Sequence, residues 1–350
     1  MFSSYKIMFW EQDKALLYKD FSFYVKYCGS DDIRRVGRIH CGFIKKLLSK
    51  MRLTNRLLRL EPRSICRMAD NIFICCFLHK IWRIDIIQNQ ITLLQENRNG
   101  WSEPLNFLNA EANIFWGEYG ANHYHDKVNI YQLSQDGHID IVFSFPCDSI
   151  RHIHNIIYDY NYEQFWILTG DNERQAGIYR ADKNWTQVIP IKTGKQKYRA
   201  VVAFPYEAGI IYATDSVETA NHIYWLTPQN GYDPIPLTSI NGSCIYGAET
   251  KDYYVFSTTV EPPEGRGYTD FFSKKLGNGI KSNEVHLITI RKTDLTDIRI
   301  IRKCEKDCWP MKLFQYGAIT FPQNTGDSNE LWIYPIACKK VDGKNIKVEL

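Results

Sequence analysis

Apolar and polar positions alternate in short runs along most of the chain, and the runs return at a regular interval. From residue 64 one unit recurs: a strand, a polar turn, a strand ending in small or acidic residues, a loop and a further strand. The second strand aligns best. It reads Asn71-Ile-Phe-Ile-Cys-Cys76, Asn113-Ile-Phe-Trp-Gly-Glu118, Gln164-Phe-Trp-Ile-Leu-Thr-Gly-Asp171, Gly209-Ile-Ile-Tyr-Ala-Thr-Asp215, Asp252-Tyr-Tyr-Val-Phe-Ser-Thr-Thr259 and Glu330-Leu-Trp-Ile-Tyr334. A third strand usually follows, as in Lys80-Ile-Trp-Arg-Ile-Asp85, Gly177-Ile-Tyr-Arg180 and His222-Ile-Tyr-Trp225. β-Branched and aromatic residues suit such strands.

The anchors Ile72, Ile114, Phe165, Ile210, Tyr254 and Leu331 are 42, 51, 45, 44 and 77 residues apart. A four-stranded unit of roughly 40–50 residues is the period of a β-propeller, because one such sheet buries its two faces only between neighbours. The pattern predicts an all-β, single-domain propeller over 1–350 with six or seven four-stranded blades. Residues 1–40 contain strand-like runs such as Phe21-Ser-Phe-Tyr-Val-Lys26 and supply either a seventh blade or ring-closing strands. The longest interval holds an insertion at 261–284 with Pro262, Pro263, Gly265, Gly267, Gly277 and Gly279, a length typical of lids or disordered loops.

Residues 34–67 break the β pattern. They carry eleven Lys and Arg and one acid, Glu61. Ile44, Leu47, Leu48, Met51 and Leu58 recur near helical spacing, which predicts one basic amphipathic helix as an insertion at 41–60. Either its cations face water while its apolar side packs on the propeller, or the segment makes peripheral contact with an anionic membrane or an acidic partner.

Composition narrows the class. The 350 residues are 44% apolar, 14% aromatic and 23% charged, with a net charge of +4, so a sizeable core is affordable and nucleic acid is not an expected partner. No apolar run is long enough for a spanning helix, and Glu11, Asp13 and Lys14 directly follow the short apolar start, unlike a secretory signal. The ten cysteines show no framework spacing and read as reduced, small hydrophobes; only Cys304 and Cys308 come near a zinc spacing, and no second pair accompanies them. A cytoplasmic location is expected.

The blade alignment places candidate chemistry. Glu118, Asp171 and Asp215 end second strands, and Arg151 and Arg199 open first strands, which line the channel of most propellers. The other first strands bring Tyr246 in Cys244-Ile-Tyr246-Gly, and Lys312, Gln315 and Tyr316 in Lys312-Leu-Phe-Gln315-Tyr316-Gly; Tyr119 follows Glu118. Guanidinium groups match carboxylates bidentately, and carboxylates, imidazoles and phenols move protons. His152 and His154 are two apart in a strand and point to one face, giving two metal ligands, a base with its orienting partner, or a hydrogen-bonded pair. His123 and His125 bring four imidazoles to neighbouring blades. The expected catalytic set is Glu118, His152, His154, Asp171, Asp215 and Tyr316. The expected substrate-binding set is Arg151, Arg199, Tyr119, Tyr246, Lys312 and Gln315. No cofactor is required, although a divalent metal at the histidines is an alternative. The competing reading makes each acid a turn former that binds backbone amides.

Tyr131-Gln-Leu-Ser134-Gln-Asp136-Gly137-His-Ile-Asp resembles a worn Asp-box of sialidase-like (BNR-repeat) propellers, and Tyr179-Arg-Ala-Asp182-Lys-Asn-Trp185 resembles a more degenerate copy. In that family the box is a structural turn on the outer strands, so the resemblance implies fold more than activity. It also implies glycosidases and polysaccharide-active proteins, with arginines on a substrate carboxylate, a Tyr nucleophile with a Glu partner, and an Asp acid/base. Arg151 and Arg199 supply two such arginines; the Phe/Tyr-Arg-Ile-Pro opening motif is absent. Propeller-fold uronate lyases, which use His, Tyr and Arg, are a second analogy. The expected function is a glycosidase or lyase acting on an acidic oligo- or polysaccharide at the channel face, in bacterial surface-polysaccharide metabolism. The alternative is a non-catalytic glycan-binding or protein-scaffold propeller.

Overall fold

A computed structural model describes residues 2, 4–265, 268–324 and 326–350. The fold is an all-β, seven-bladed propeller whose sheets follow one another along the chain. The first blade has Lys6–Trp10, Lys14–Lys19, Ser22–Tyr27 and Ile33–Arg38, and the short strand Gln323–Asn324 pairs in parallel with Lys6–Trp10. Residues 1–40 are therefore a blade of their own, closed by a strand from far along the chain. The second blade is Ile65–Ala69, Ile72–Phe77, Lys80–Asp85 and Gln90–Glu96. The third is Leu108–Ala110, Asn113–Gly117, Val128–Leu133 and Ile139–Phe145, and the fourth His152–Asp159, Gln164–Gly170, Gly177–Asp182 and Val188–Thr193. Ala200–Tyr206, Gly209–Thr214, Asn221–Leu226 and Ile235–Ile240 form the fifth. The sixth is Cys244–Glu249, Tyr253–Thr258, Glu284–Arg291 and Asp294–Glu305; the seventh has Ala318–Thr320, Glu330–Ile336 and Ile346–Glu349. No helix among the described residues is long and apolar enough to cross a membrane.

Burial explains the repeat. Second strands such as Gln164–Gly170 and Gly209–Thr214 are buried almost throughout, whereas the fourth strand Gln90–Glu96 alternates between exposed and half-buried positions. A strand covered on both faces reads as a continuous apolar run, and one at a sheet edge alternates.

Contacts divide the chain into two compact units. One comprises 62–214 and 224–236. Its apolar clusters lie between successive sheets: Cys66, Ile74 and Cys76 with Phe107, Ile114 and Trp116; Phe115, Ile130 and Phe145 with Ile153, Phe165 and Ile167; Trp166, Leu168 and Ile178 with Ala200, Ile210 and Tyr212. Phe165 stacks on Trp185 with centroids 4.4 Å apart.

The other unit comprises 1–61, 215–223 and 237–350. The Asn345 side chain stitches its two distant segments, donating to the Phe2 (3.0 Å) and Tyr5 (2.6 Å) carbonyls and accepting from the Ile7 amide (3.1 Å). The expected single helix is corrected to two seven-residue helices, α1 (Phe43–Ser49) and α2 (Arg52–Leu58), because Met51 is extended between them. The strand expected at Lys312–Tyr316 is also corrected: Met311–Phe314 is a helical turn, with the Phe314 amide on the Pro310 carbonyl at 2.9 Å, and the blade's first strand starts at Ala318. Pro310, without an N–H, suits a helix start better than a ladder. In the 261–284 loop, Arg266 and Gly267 lie outside the described residues. Glu261 is buried and accepts from Ser243 and Thr259, and the backbone of Gly277 and Gly279 bonds Glu261 and Val217.

Candidate functional site

One cluster in the 62–214 unit gathers most of the expected chemistry. The strand His152–Asp159 presents both imidazoles to the same side, and the Gly170 end of the adjacent strand leaves room for them. A Cβ on Gly170 would meet His154 Cε1 at 2.2 Å. A side chain there would displace the ring, so glycine is required by space. Asp171, the next residue, turns its carboxylate onto both rings: His154 Nε2 lies 3.1 Å and His152 Nε2 3.4 Å from Oδ1. The two Nε2 atoms are 3.1 Å apart.

Each ring is fixed from behind. His152 Nδ1 meets the Gly120 carbonyl at 2.5 Å, and His154 Nδ1 meets the Ala200 carbonyl at 2.8 Å. A carbonyl only accepts, so these partners assign a proton to each Nδ1 and leave each Nε2 facing Asp171. The two Nε2 atoms and a carboxylate oxygen thus converge, an arrangement held together by a proton or a cation among them.

Two guanidinium groups complete the cluster. Arg151 Nη1 is 3.2 Å from Asp171 Oδ2, with its Nε donating to the Ala121 carbonyl at 3.2 Å. Arg199 Nη2 is 3.2 Å from Asp171 Oδ1, with Nη1 on the Asp171 carbonyl at 3.1 Å. Gln196 Nε2 donates to that same carbonyl at 2.9 Å. Burial works against the Asp171 charge, but the His152 and His154 hydrogen bonds and the Arg199 charge hold its carboxyl well below the usual range. Burial lowers the His152 imidazole despite Asp171. Both imidazoles are 2% exposed, while the Arg151 and Asp171 side chains are each about one-fifth exposed, so the cluster meets solvent through that pair. Tyr119, half-buried, places its ring 4.4 Å from that of His152.

The structure thus brings together Arg151, His152, His154, Asp171, Arg199 and Tyr119. Glu118 is engaged in a separate network, accepting from the Asn129 amide (2.9 Å) and the Tyr131 hydroxyl (2.9 Å) and pairing with Arg98 (3.0 Å). Burial raises its carboxyl above the usual value even so. His123 and His125 are exposed, and His125 lies 3.6 Å from Asp148, so the four expected imidazoles do not form one group. Asp215, Tyr246, Lys312, Gln315 and Tyr316 belong to the other unit. There Asp215 is buried, Lys312 donates to the Gly265 carbonyl at 2.6 Å, and Tyr316 packs beside an apolar cluster containing Met311 and Ile319. Sequence reading missed Gly170 and Gln196. The glycine before the acid was the available signal for the first; nothing local marks the second.

The two Asp-box-like hairpins are turns. Asp136 accepts from the Ser134 hydroxyl, and Asp182 accepts from the Asn184 (3.2 Å) and Gln187 (2.6 Å) amides and the Thr186 hydroxyl (2.9 Å).

No protein-family model matches the chain, and no curated protein matches it. Solved structures do. The chain is similar to an oligogalacturonate lyase in complex with manganese, with TM-score 0.60, 10% identity, and 97% of this chain and 86% of that one covered. It is similar to oligogalacturonate lyase from Vibrio parahaemolyticus, with TM-score 0.61, 10% identity, and 99% and 89% covered. It is also similar to a chain of the mitotic checkpoint complex, with TM-score 0.56, 8% identity, and 99% and 90% covered. At such identities the likeness establishes the propeller and no more.

Proposed function

We propose that this propeller acts on acidic oligosaccharides, as a lyase working at the Asp171 cluster. The observation that supports this most is the meeting of two guanidinium groups, two ring-oriented imidazoles and one strongly acidic carboxylate at the opening of a blade. The likeness to oligogalacturonate lyases, named for an acidic oligosaccharide, supports the same substrate class.

β-Elimination removes the proton α to a uronate carboxylate, breaks the C–O bond β to it, forms a C=C bond and returns a proton to the leaving oxygen. Arg151, the more exposed guanidinium, receives the uronate carboxylate and lowers the charge that opposes proton removal. His152 and His154, with Tyr119 at their edge, take up the proton and return it. Arg199 and Gln196 hold Asp171, which holds the rings.

The donor set also fits a divalent cation. His152 Nε2, His154 Nε2 and Asp171 Oδ1 would hold it, and the carbonyl partners on each Nδ1 are the support that ligating imidazoles need. Bound there, such an ion supplies Lewis-acid polarisation of the substrate carboxylate.

The test is turnover on a panel of uronate and sialate oligosaccharides, read by the ultraviolet absorbance of unsaturated product. Product formed by the parent protein and lost in R151A and D171N is the expected result. Absence of product across the panel, with and without divalent metal, overturns the lyase reading. Saturable binding without product would then favour the glycan-binding reading, to which the deep burial of both imidazoles already points.

A further inference from the structure

The two helices after the first blade are mounted inside out. An amphipathic helix on a globular protein normally turns apolar side chains inward and cations to water. Here cations form the attachment. Arg52 reaches both Asp342 oxygens, Nε to Oδ2 at 3.0 Å and Nη2 to Oδ1 at 2.9 Å, and donates through Nη1 to Glu61 at 2.7 Å. Arg56, 3% exposed, pairs with Asp307 at 2.5 Å and donates from Nε to the Phe314 carbonyl at 2.8 Å. The Ser49 hydroxyl adds a bond to Asp20 at 3.2 Å. The helical pair is thus held by charged hydrogen bonds; Leu48 and Leu53 are half-buried, and its other large apolar side chains are left outside. Phe43 is 79% exposed, Ile44 71%, Met51 58% and Leu47 54%.

Those side chains are interleaved with cations. Lys45, Lys50 and Arg59 are exposed, and no acid occurs from residue 41 to residue 60. Isolated exposed apolar residues need no explanation, but Phe43, Ile44, Leu47 and Met51 together within nine residues of chain do. The charge pattern selects the occupant. A second copy of the chain meeting this patch face to face would bring lysine against lysine. A surface with apolar depth and dense negative charge satisfies both components, the apolar residues entering below the headgroups and the lysines staying among them. Each helix has seven residues, which suits lying at the interface and excludes spanning it.

We propose that α1 and α2 form a docking face for anionic membrane surfaces, with Phe43, Ile44, Leu47 and Met51 inserting at the headgroup boundary and Lys45, Lys50 and Arg59 pairing with lipid phosphates and carboxylates. The face stands apart from the Asp171 cluster in its residues and does not depend on the function proposed for that cluster.

The test uses the full chain and sedimentation with two vesicle preparations, phosphatidylcholine alone and phosphatidylcholine with phosphatidylserine. Binding to the anionic vesicles at low salt, weakening as salt rises, is expected, with little binding to the neutral ones. F43S/I44S and K45E/K50E are each expected to cut anionic binding by about tenfold. The substituted residues are exposed, and an unchanged circular dichroism spectrum and unfolding midpoint confirm that the fold survives. Three results overturn the proposal. The first is no sedimentation with anionic vesicles at low salt. The second is binding that both double variants retain. The third is a dimer in analytical ultracentrifugation that F43S/I44S dissolves, which would assign the face to a second copy.

Discussion

The Nε2 atoms of His152 and His154 stand 3.1 Å apart although the proton of each ring is held at Nδ1 by a backbone carbonyl. Any hydrogen that either Nε2 offers to the other or to Asp171 is then a second proton on that ring, and a cation can take its place. Metal–ligand distances of about 2.0–2.2 Å would accommodate separations of this size around a single ion. Dialysis against manganese or zinc followed by elemental analysis should therefore leave about one equivalent bound. D171A and H154A are expected to lose it. Stoichiometry unchanged in both variants would place any bound ion elsewhere.

Gly170 offers a probe that leaves every charged group in place. The Cβ of G170A would meet the His154 ring at 2.2–2.6 Å, too close for any real contact. The ring must rotate off the Ala200 carbonyl or the strand must shift. Activity or ligand binding at the cluster should fall by at least about tenfold, with a stability loss of about 1–3 kcal/mol from overpacking. Full activity in G170A would mean that the position of His154 does not matter to the site.

Arg56 is the anchor of α2. R56A would leave the Asp307 carboxylate, 14% exposed, to Lys306 and the Trp309 amide, and the Phe314 carbonyl without its donor. Removing one member of a buried pair costs about 3–5 kcal/mol where the remaining charge is uncompensated, and the Lys306 charge places this loss at or below the lower end. R56K should recover only part of this loss, because an ammonium cannot reproduce the guanidinium fork. Urea unfolding of the three proteins gives the comparison. A cost near zero for R56A would show that the helices are not held through this residue.

Acid should destabilise the fold through carboxyls that are paired in it. Burial opposes the Asp342 charge, but hydrogen bonds from Arg52 and the charges of Arg52 and Arg56 hold this carboxyl below its usual value. Asp171 lies further below. For both, the folded state binds its proton less tightly than the unfolded chain, whose aspartates titrate near about 3.9. Their stabilisation is therefore fully present above that pH and is lost as pH falls through the folded values. Glu118 has the opposite sign. Burial raises it, so its contribution is present below the ordinary glutamate range and declines as pH rises through its folded value. Urea midpoints followed from neutral pH into acid should fall steeply at the acid end, and D342N should flatten that limb. A limb equally steep in D342N would put the acid sensitivity elsewhere.

The sequence disclosed the blades because second strands are covered on both faces. Phe165, Trp166, Ile167 and Leu168 are all fully buried and read as one apolar run. The cluster was legible for a related reason. Asp171 ends such a strand, Arg151 and Arg199 open first strands, and His152 and His154 keep strand spacing, so a blade alignment brings them together. Longer-range causes were not legible. The partners that hold Arg52 and Arg56 inward, Asp342 and Asp307, are 290 and 251 residues away, and no local periodicity reports them. The helical spacing around 43–59 therefore left open whether the apolar side packs on the propeller or faces outward. Lys312 and Gln315 looked like strand residues because they match the blade interval. The turn begun by Pro310 decides otherwise, and Arg56 donates to its last carbonyl. Glu118 matched Asp171 in the alignment, yet Asn129, Tyr131 and Arg98 engage it locally.

The stitch between Asn345 and Ile7 spans 338 residues of chain. At translation rates of about 5–20 residues per second, the strand Lys6–Trp10 emerges roughly 20–70 s before the side chain that bonds its backbone. Gln323–Asn324, its parallel neighbour, arrives only shortly earlier. During that interval Lys6–Trp10 has its inner neighbour Lys14–Lys19, but its outer edge lacks Gln323–Asn324 and is open to mispairing with other nascent chains. A cell making this protein in quantity would have to shield its first blade for most of the time needed to make the other six.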